Sequence, residues 1–273
     1  MVKIIFGVFS LTFAFLMSSM ISSISLADYC KQSADLSFFK AQAYQTENHL
    51  GVTNHGGLFN GGVCWWHSLF QRSALYLTVF LPNQPKPNAD QIEDIVHAIA
   101  AGKQVVEIPG YQNILEFSLA NWPVIQKKLE EWQLVDGFLK QAWINSVTAT
   151  WDENPPALKK TMDELYGIVE TKTQIPWVML KVKGIGAHAW LVVDMTLTST
   201  GYEFVVIDSN FPTQMVNVVY KNGSGSIDSS LGPVALYPGR MGFFKDFTSA
   251  RNKYCTSRVK PPLVRLPLNN DLE

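Results

Sequence analysis

The hydrophobic period of this 273-residue chain changes near residue 175, and that change restricts it to folds in which helices are laid down first and strands after them. Ahead of the switch, Trp66, Leu69, Phe70, Ser73, Ala74 and Leu77 form one helical stripe, with the small residues continuing it. Asn88 and Gln91 make a capping-box pattern before a face of Ile92, Ile95, Val96 and Ile99, and Gly102 stops that helix. Pro123 can begin another helix, carrying Val124, Ile125, Leu129 and Trp132, and Pro156 a third, carrying Leu158, Met162, Leu165, Tyr166 and Val169. Behind the switch, residues 177–182, 187–195 and 202–208 are β-rich runs, and Thr198-Ser199-Thr200-Gly201 reads as the turn between the last two. The reading is an α+β fold with a helical part at about 64–172 and a β part at about 175–265, the first helix packed against an antiparallel sheet. The segment 221–226, Lys-Asn-Gly-Ser-Gly-Ser, reads as an exposed loop between strands.

The first residues bear on the compartment. Lys3 gives a positive start, residues 4–17 are an apolar run of signal-sequence length, and Ser25-Leu26-Ala27 supplies small residues for cleavage before Asp28. Residues 1–27 therefore read as a signal peptide, and residues 28–273 as one exported domain, secreted or periplasmic. An uncleaved anchor is the rival, but the run is short of the ~20 apolar residues that span a bilayer, and Ser18, Ser19, Ser22 and Ser23 dilute its continuation. No later stretch is long and apolar enough, so no stable membrane span is expected after cleavage. Residues 28–50 read as an integral arm rather than a removable pro-segment. Net charge is −1 with 16% charged residues, which argues against a nucleic-acid surface, and eight Trp favour a packed body over disorder. Oligomeric state is not legible.

Three cysteines in an exported chain leave one over. Cys30 and Cys255 lie near the two ends of the exported domain, so a bridge between them would tie its termini together and leave Cys64 free. Cys64 sits in Gly61-Gly62-Val63-Cys64-Trp65-Trp66 at the first turn of the Trp66–Leu77 stripe. Unpaired N–H groups and the positive end of the helix dipole favour thiolate there, and the two glycines clear the approach to the sulfur. An inert buried thiol is the competing reading.

Downstream stand Gly186-Ala187-His188-Ala189-Trp190 and Val206-Ile207-Asp208-Ser209-Asn210. If the two strands form a hairpin centred on Thr198 or Ser199, His188 falls opposite or nearly opposite Asp208 on one face. A carboxylate there would hold the imidazole in one tautomer while its other nitrogen meets the thiol. A one-residue slip would break this, and Asp194, on the face of His188 by simple alternation, is the rival to Asp208. Trp65, Trp66 and Trp190 could wall a substrate groove, although core packing explains them as well. His67 stands three residues after Cys64, with His49 and His55 upstream, but no second ligand pair completes a metal site, so neither metal nor cofactor is expected.

In motif and order, roughly residues 54–212 resemble the papain-like cysteine peptidase superfamily. Gly62-x-Cys64-Trp65 matches part of its nucleophile pattern, and a Cys on a core helix is followed by His and then Asp or Asn on strands. The resemblance implies a single papain-like catalytic domain over 28–273, with Cys64 as nucleophile, His188 as general base and then acid, and Asp208 as the orienting residue. The chain departs from the family in lacking the first Cys of the pattern. It also has Leu58 where an oxyanion-hole Gln is usual. Asn60, or Asn54, would then supply that donor, although Asn60-Gly61 also reads as a turn. The implied activity is hydrolysis of amide bonds in a protein or peptide substrate through a thioester. The same triad would serve an amidase, deamidase or transglutaminase-like transferase, and the contrasting reading is a non-catalytic secreted binding module.

Overall fold

Helix α3 (Cys64–Leu77) is buried along nearly its whole length, with only Leu69 partly exposed, so the narrow stripe read from the sequence underestimates it. The computed structural model describes residues 26–32, 35–57, 62–136, 152–183, 186–237 and 247–259. Ahead of α3 lie α1 (Leu26–Gln32), α2 (Leu36–Ala43) and an irregular segment that reaches Gly57. Polar side chains of α3 satisfy the backbone of that segment. Gln71 accepts the Leu50 N–H (2.6 Å) and donates to the Asn48 carbonyl (2.7 Å), while His67 Nε2 donates to the Val52 carbonyl (2.9 Å). Arg72 Nε likewise donates to the Ile175 carbonyl (2.8 Å). A buried polar group is tolerated where it completes such pairing, which is why these residues sit inside.

Two short strands interrupt the helical part. β1 (Thr78–Leu81) and β2 (Val106–Pro109) pair in parallel, with the crossover made by α4 (Ala89–Ala101). Four residues are too few to show alternation, so neither strand was read within the part taken as mostly helical. The Asn88/Gln91 capping box forms as read, with both bonds at 2.9 Å, and the Gly102 N–H returns to the Ala98 and Ile99 carbonyls. α5 (Ile114–Ala120) and α6 (Trp122–Leu134) follow, with Pro123 in the first turn of α6. α7 (Pro155–Tyr166) continues into a π-turn, Gly167–Thr171.

The strands are β3 (Trp177–Val182), β4 (Gly186–Thr198), β5 (Gly201–Asp208), β6 (Met215–Lys221), β7 (Ile227–Ser229) and β8 (Gly232–Leu236). Each pairs antiparallel with the next, and β8 returns to β3 through Leu180↔Leu236, so the sheet closes into a barrel. The expected sheet is therefore present, and closure removes its exposed edges. Alternate residues of β3 and β4 serve two cores. Val178, Leu180, Trp190 and Val192 point inward with Phe204, Val206 and Tyr220, joined by Leu158, Met162 and Leu165 of α7. Trp177, Met179, Ala189, Leu191 and Val193 point outward against Phe39, Phe70 and Leu77 of the helical part.

The last described element is α8 (Thr248–Val259), a helix within the stretch read as β. Its Cys255 is bonded to Cys30 of α1, with Cα atoms 5.5 Å apart, and Cys64 is the free cysteine. The Tyr29 hydroxyl also donates to the Tyr76 carbonyl on α3 (2.8 Å), so α1 is fixed to the main core as well as to α8. Among the described residues no helix is long and apolar enough to cross a membrane. Nearly all of the segment read as a signal peptide lies outside the described residues.

Candidate active site

Strand β4 is longer than β5, and the difference creates a place for α3. β4 pairs with β3 from Gly186 to Leu191 but with β5 only from Trp190 onward, leaving residues 186–189 without a β5 partner. α3 packs there instead, through side chains on its first turns. Trp65 Nε1 donates to the His188 carbonyl (3.1 Å), Ser68 Oγ to the Ala189 carbonyl (3.3 Å), and Cys64 Sγ lies 3.6 Å from the Ala187 carbonyl. The nucleophile candidate is thereby carried to the strand that bears His188.

The β4–β5 register decides whether the third residue arrives. The turn residues are Ser199 and Thr200, with Thr198 opposite Gly201. Continued without a break, that register would set Asp208 opposite Leu191, on the face away from His188. β4 has a bulge at Val193: Asp194 faces Val205, but Val192 faces Val206, and Asp208 comes opposite Trp190. One extra residue in one strand shifts every pairing beyond it by one, so Asp208 is returned to the inward face shared by Trp190 and His188. His188 is thus the diagonal neighbour of Asp208 rather than its direct partner. The same bulge turns Asp194 outward, where it accepts from Lys40 Nζ (3.2 Å) and the Tyr44 hydroxyl (3.0 Å). The rival carboxylate is thereby held away from the imidazole.

Asp208 is fully buried and takes three donors. His188 Nε2 is 2.7 Å from Oδ1, the Asn210 N–H donates to Oδ1 (2.8 Å), and Trp190 Nε1 donates to Oδ2 (2.8 Å). Burial alone would raise its pKa. The His188 hydrogen bond and charge, with the Asn210 and Trp190 donors, instead hold it below the usual carboxylate range. Burial works against a charged His188, but its hydrogen bonds to Asp208 and to the Cys64 side chain, with the charges of both, push its pKa up to about 10. Since Nε2 serves Asp208, Nδ1 is the nitrogen left for the sulfur. Val63 provides no side-chain cap to α3, so the helix dipole at Cys64 is not offset by an acceptor from that residue.

The remaining candidates fall elsewhere. Asn60, the proposed oxyanion donor, lies outside the described residues, as does Leu58. Asn54 stands beside the turn that leads into Cys64: its Oδ1 accepts the Val63 N–H (2.5 Å) and its Nδ2 donates to Asn210 Oδ1 (3.2 Å). His67 is fully buried, and desolvation lowers its pKa to about 4, so its ring is neutral and bound to Val52 rather than poised for a metal. His49 lies between the carbonyls of Ala43 (2.7 Å) and Pro212 (2.8 Å), and His55 is exposed beside Trp122. Among the described residues no group of three His, Cys, Asp or Glu could hold a metal ion. The three tryptophans act as buried brackets rather than groove walls: Trp65 and Trp190 bond the His188 carbonyl and Asp208, and Trp66 donates to Asp136 Oδ2 (3.2 Å). Sequence reasoning passed over the hydrogen-bonding roles of Trp190 and Asn210, although both stand two residues from a candidate.

No protein-family model, curated protein or solved structure matches the chain.

Proposed function

We propose that the protein is a papain-like thiol hydrolase that cleaves amide bonds in a protein or peptide substrate outside the cytoplasm. The observation that carries this reading is the buried relay in which His188 lies between the Cys64 thiol and an Asp208 carboxylate 2.7 Å from its Nε2. A purely structural buried thiol has no need of an imidazole oriented by a three-donor carboxylate, whereas an activated nucleophile does. The Cys30–Cys255 bridge supports an oxidising compartment.

The chemistry follows from this arrangement. Nδ1 of His188 takes the Cys64 proton as the sulfur attacks the substrate carbonyl carbon, moving the C=O electron pair onto oxygen. First-turn N–H groups of α3 stabilise that oxyanion, with Asn60 proposed as the side-chain donor. As the C–N bond breaks, imidazolium gives its proton to the departing amine and a thioester remains. His188 then takes a proton from water as the water adds to the thioester, and collapse expels the thiolate with release of the acid. Asp208 keeps the ring in the tautomer and orientation that both proton transfers require.

The test is turnover of a peptide library by the full chain. Cys64→Ala and His188→Ala are expected to abolish hydrolysis with the fold retained, and Asp208→Asn to impair it less. Undiminished hydrolysis by Cys64→Ala would rule out the thiol mechanism. Turnover only when an amine acceptor is supplied would make the protein a transferase. Slow, ordinary alkylation of Cys64 that His188→Ala does not change would favour a binding module.

A further inference from the structure

His188 and Asp208 belong to the barrel and Cys64 to a helix outside it, so the relay works only if something holds the helix start at a constant distance from the end of β5. Trp65 and Ser68 tie α3 to β4, but neither reaches the segment after Asp208. Asn54 does. Its backbone N–H donates to the Ser209 carbonyl (2.8 Å), its Oδ1 accepts from the N–H of Val63, next to Cys64 (2.5 Å), and its Nδ2 donates to Asn210 Oδ1 (3.2 Å). Asn210 in turn donates its own N–H to Asp208 Oδ1 (2.8 Å). The path runs from Cys64 through the Val63 backbone, Asn54, Asn210 and Asp208 to His188, on the strand whose Ala187 carbonyl lies 3.6 Å from Cys64 Sγ.

Local backbone geometry agrees. Gly62 has φ +87°, and a Cβ at that position would meet Asn54 Nδ2 at 2.6 Å and Oδ1 at 2.8 Å. The chain before the nucleophile is bare of side chain at the point where the Asn54 amide lies against it. The Gly62 N–H bonds back to the Gly56 carbonyl (2.8 Å), so Asn54 is brought close to Val63 despite nine residues of separation. Both ends of the amide are assigned by their partners, since only an oxygen can receive the Val63 N–H and only the NH₂ can donate to Asn210 Oδ1.

We propose that Asn54 is a positioning residue that locks the nucleophile turn to the Asp208 loop and so sets the Cys64–His188 contact. The inference rests on the thiol-hydrolase reading of the same site. A mutation away from the reacting atoms that loosens such a contact by about 1 Å can lower rate by about 10²-fold, so the link is of catalytic consequence although Asn54 itself takes no part in the chemistry.

The experiment is the rate of Cys64 alkylation by iodoacetamide from pH 5 to 10, read by mass spectrometry on the intact chain. It compares wild type, Asn54→Ala, Asn210→Ala, the double variant and His188→Ala, with thermal unfolding followed on each. The expected result is fast wild-type labelling at pH 6 that falls about tenfold or more in Asn54→Ala and equally in Asn210→Ala, with rates converging at pH 9.5 where a free thiol is ionised. The double variant should lose no more than either single one, because the two amides form one link. Labelling at pH 6 within twofold of wild type in both single variants would overturn the proposal, and so would independent, multiplying losses in the double variant. A variant that melts early but keeps the wild-type pH profile would show a merely structural Asn54 and also overturn it. Failure of the underlying reading looks different: wild type itself would label as an ordinary thiol, unchanged by His188→Ala, and both conclusions would fall.

Discussion

At the scale of single residues, two histidines a few residues from the sulfur in space or sequence are driven in opposite directions. Both are desolvated by burial, but His188 has the Asp208 carboxylate as acceptor and is pushed up to about 10, whereas burial, with only a carbonyl to offset it, pushes His67 down to about 4. The consequences for stability have opposite sign. His188 binds its proton more tightly folded than unfolded, so its contribution is complete below about pH 6.5 and is lost as pH rises through about 10. For His67 the unfolded state takes the proton first, so its contribution is present above about 6.5 and is lost as pH falls toward 4. Unfolding free energy measured against pH is therefore expected to peak between these two limbs. His67→Gln should flatten the acid limb, which corresponds to on the order of 3 kcal/mol for a shift of this size. His188→Ala should flatten the alkaline one. An acid limb unchanged in His67→Gln would show that His67 is not the group responsible.

At the scale of elements, the β4–β5 hairpin has a structural end and a chemical end. At the turn, Gly201 has φ +153°, and a Cβ there would fall 2.0 Å from the Tyr220 carbonyl on β6. At the opposite end, past the bulge, lie His188 and Asp208. Gly201→Ala is expected to destabilise the protein by about 1–3 kcal/mol through backbone strain, read by urea unfolding, while Cys64 still alkylates at wild-type rate. Loss of labelling in a still-folded variant would mean that the two ends are coupled. The hairpin also shows how far strand signals reach. β-rich composition and turn residues placed both strands and the turn to within a residue, except that β4 runs to Thr198, three residues past the Met195 at which the reading ended it. The bulge left no trace, because Val193 is one more apolar residue in Leu191-Val192-Val193 and buries its side chain like its neighbours.

At the scale of the whole molecule, the helical part and the barrel share one core face, and α1 is joined to α8 by Cys30–Cys255 across 225 residues. A closed loop of that length restricts the unfolded chain strongly, and removing such a bridge typically costs about 2–5 kcal/mol. Cys30→Ser with Cys255→Ser is expected to lose that much in equilibrium denaturation. Labelling of Cys64 should survive, because the bridge lies between α1 and α8 and takes no part in the β4 contact. Denaturation midpoints matching wild type would show that the bridge adds nothing to stability.

What the sequence by itself determined was local: where four helices of the 64–170 region start, that Gly102 stops the one after Asn88, that strands follow from about residue 175, and which three side chains could form a thiol relay. Caps, proline and apolar period act among residues a few positions apart, so they are written in short windows. Cysteine parity reached further, because an oxidised chain with three thiols must leave one unpaired. Only the tertiary structure decided the rest. Closure of the sheet through β8 and β3, and burial of Gln71, Arg72 and His67 against a distant backbone, are contacts between segments 15 or more residues apart. So are the turn of Asp208 onto the His188 face and the Asn54 link. Each depends on pairing register or on an unpaired backbone group elsewhere, and no local window contains both partners.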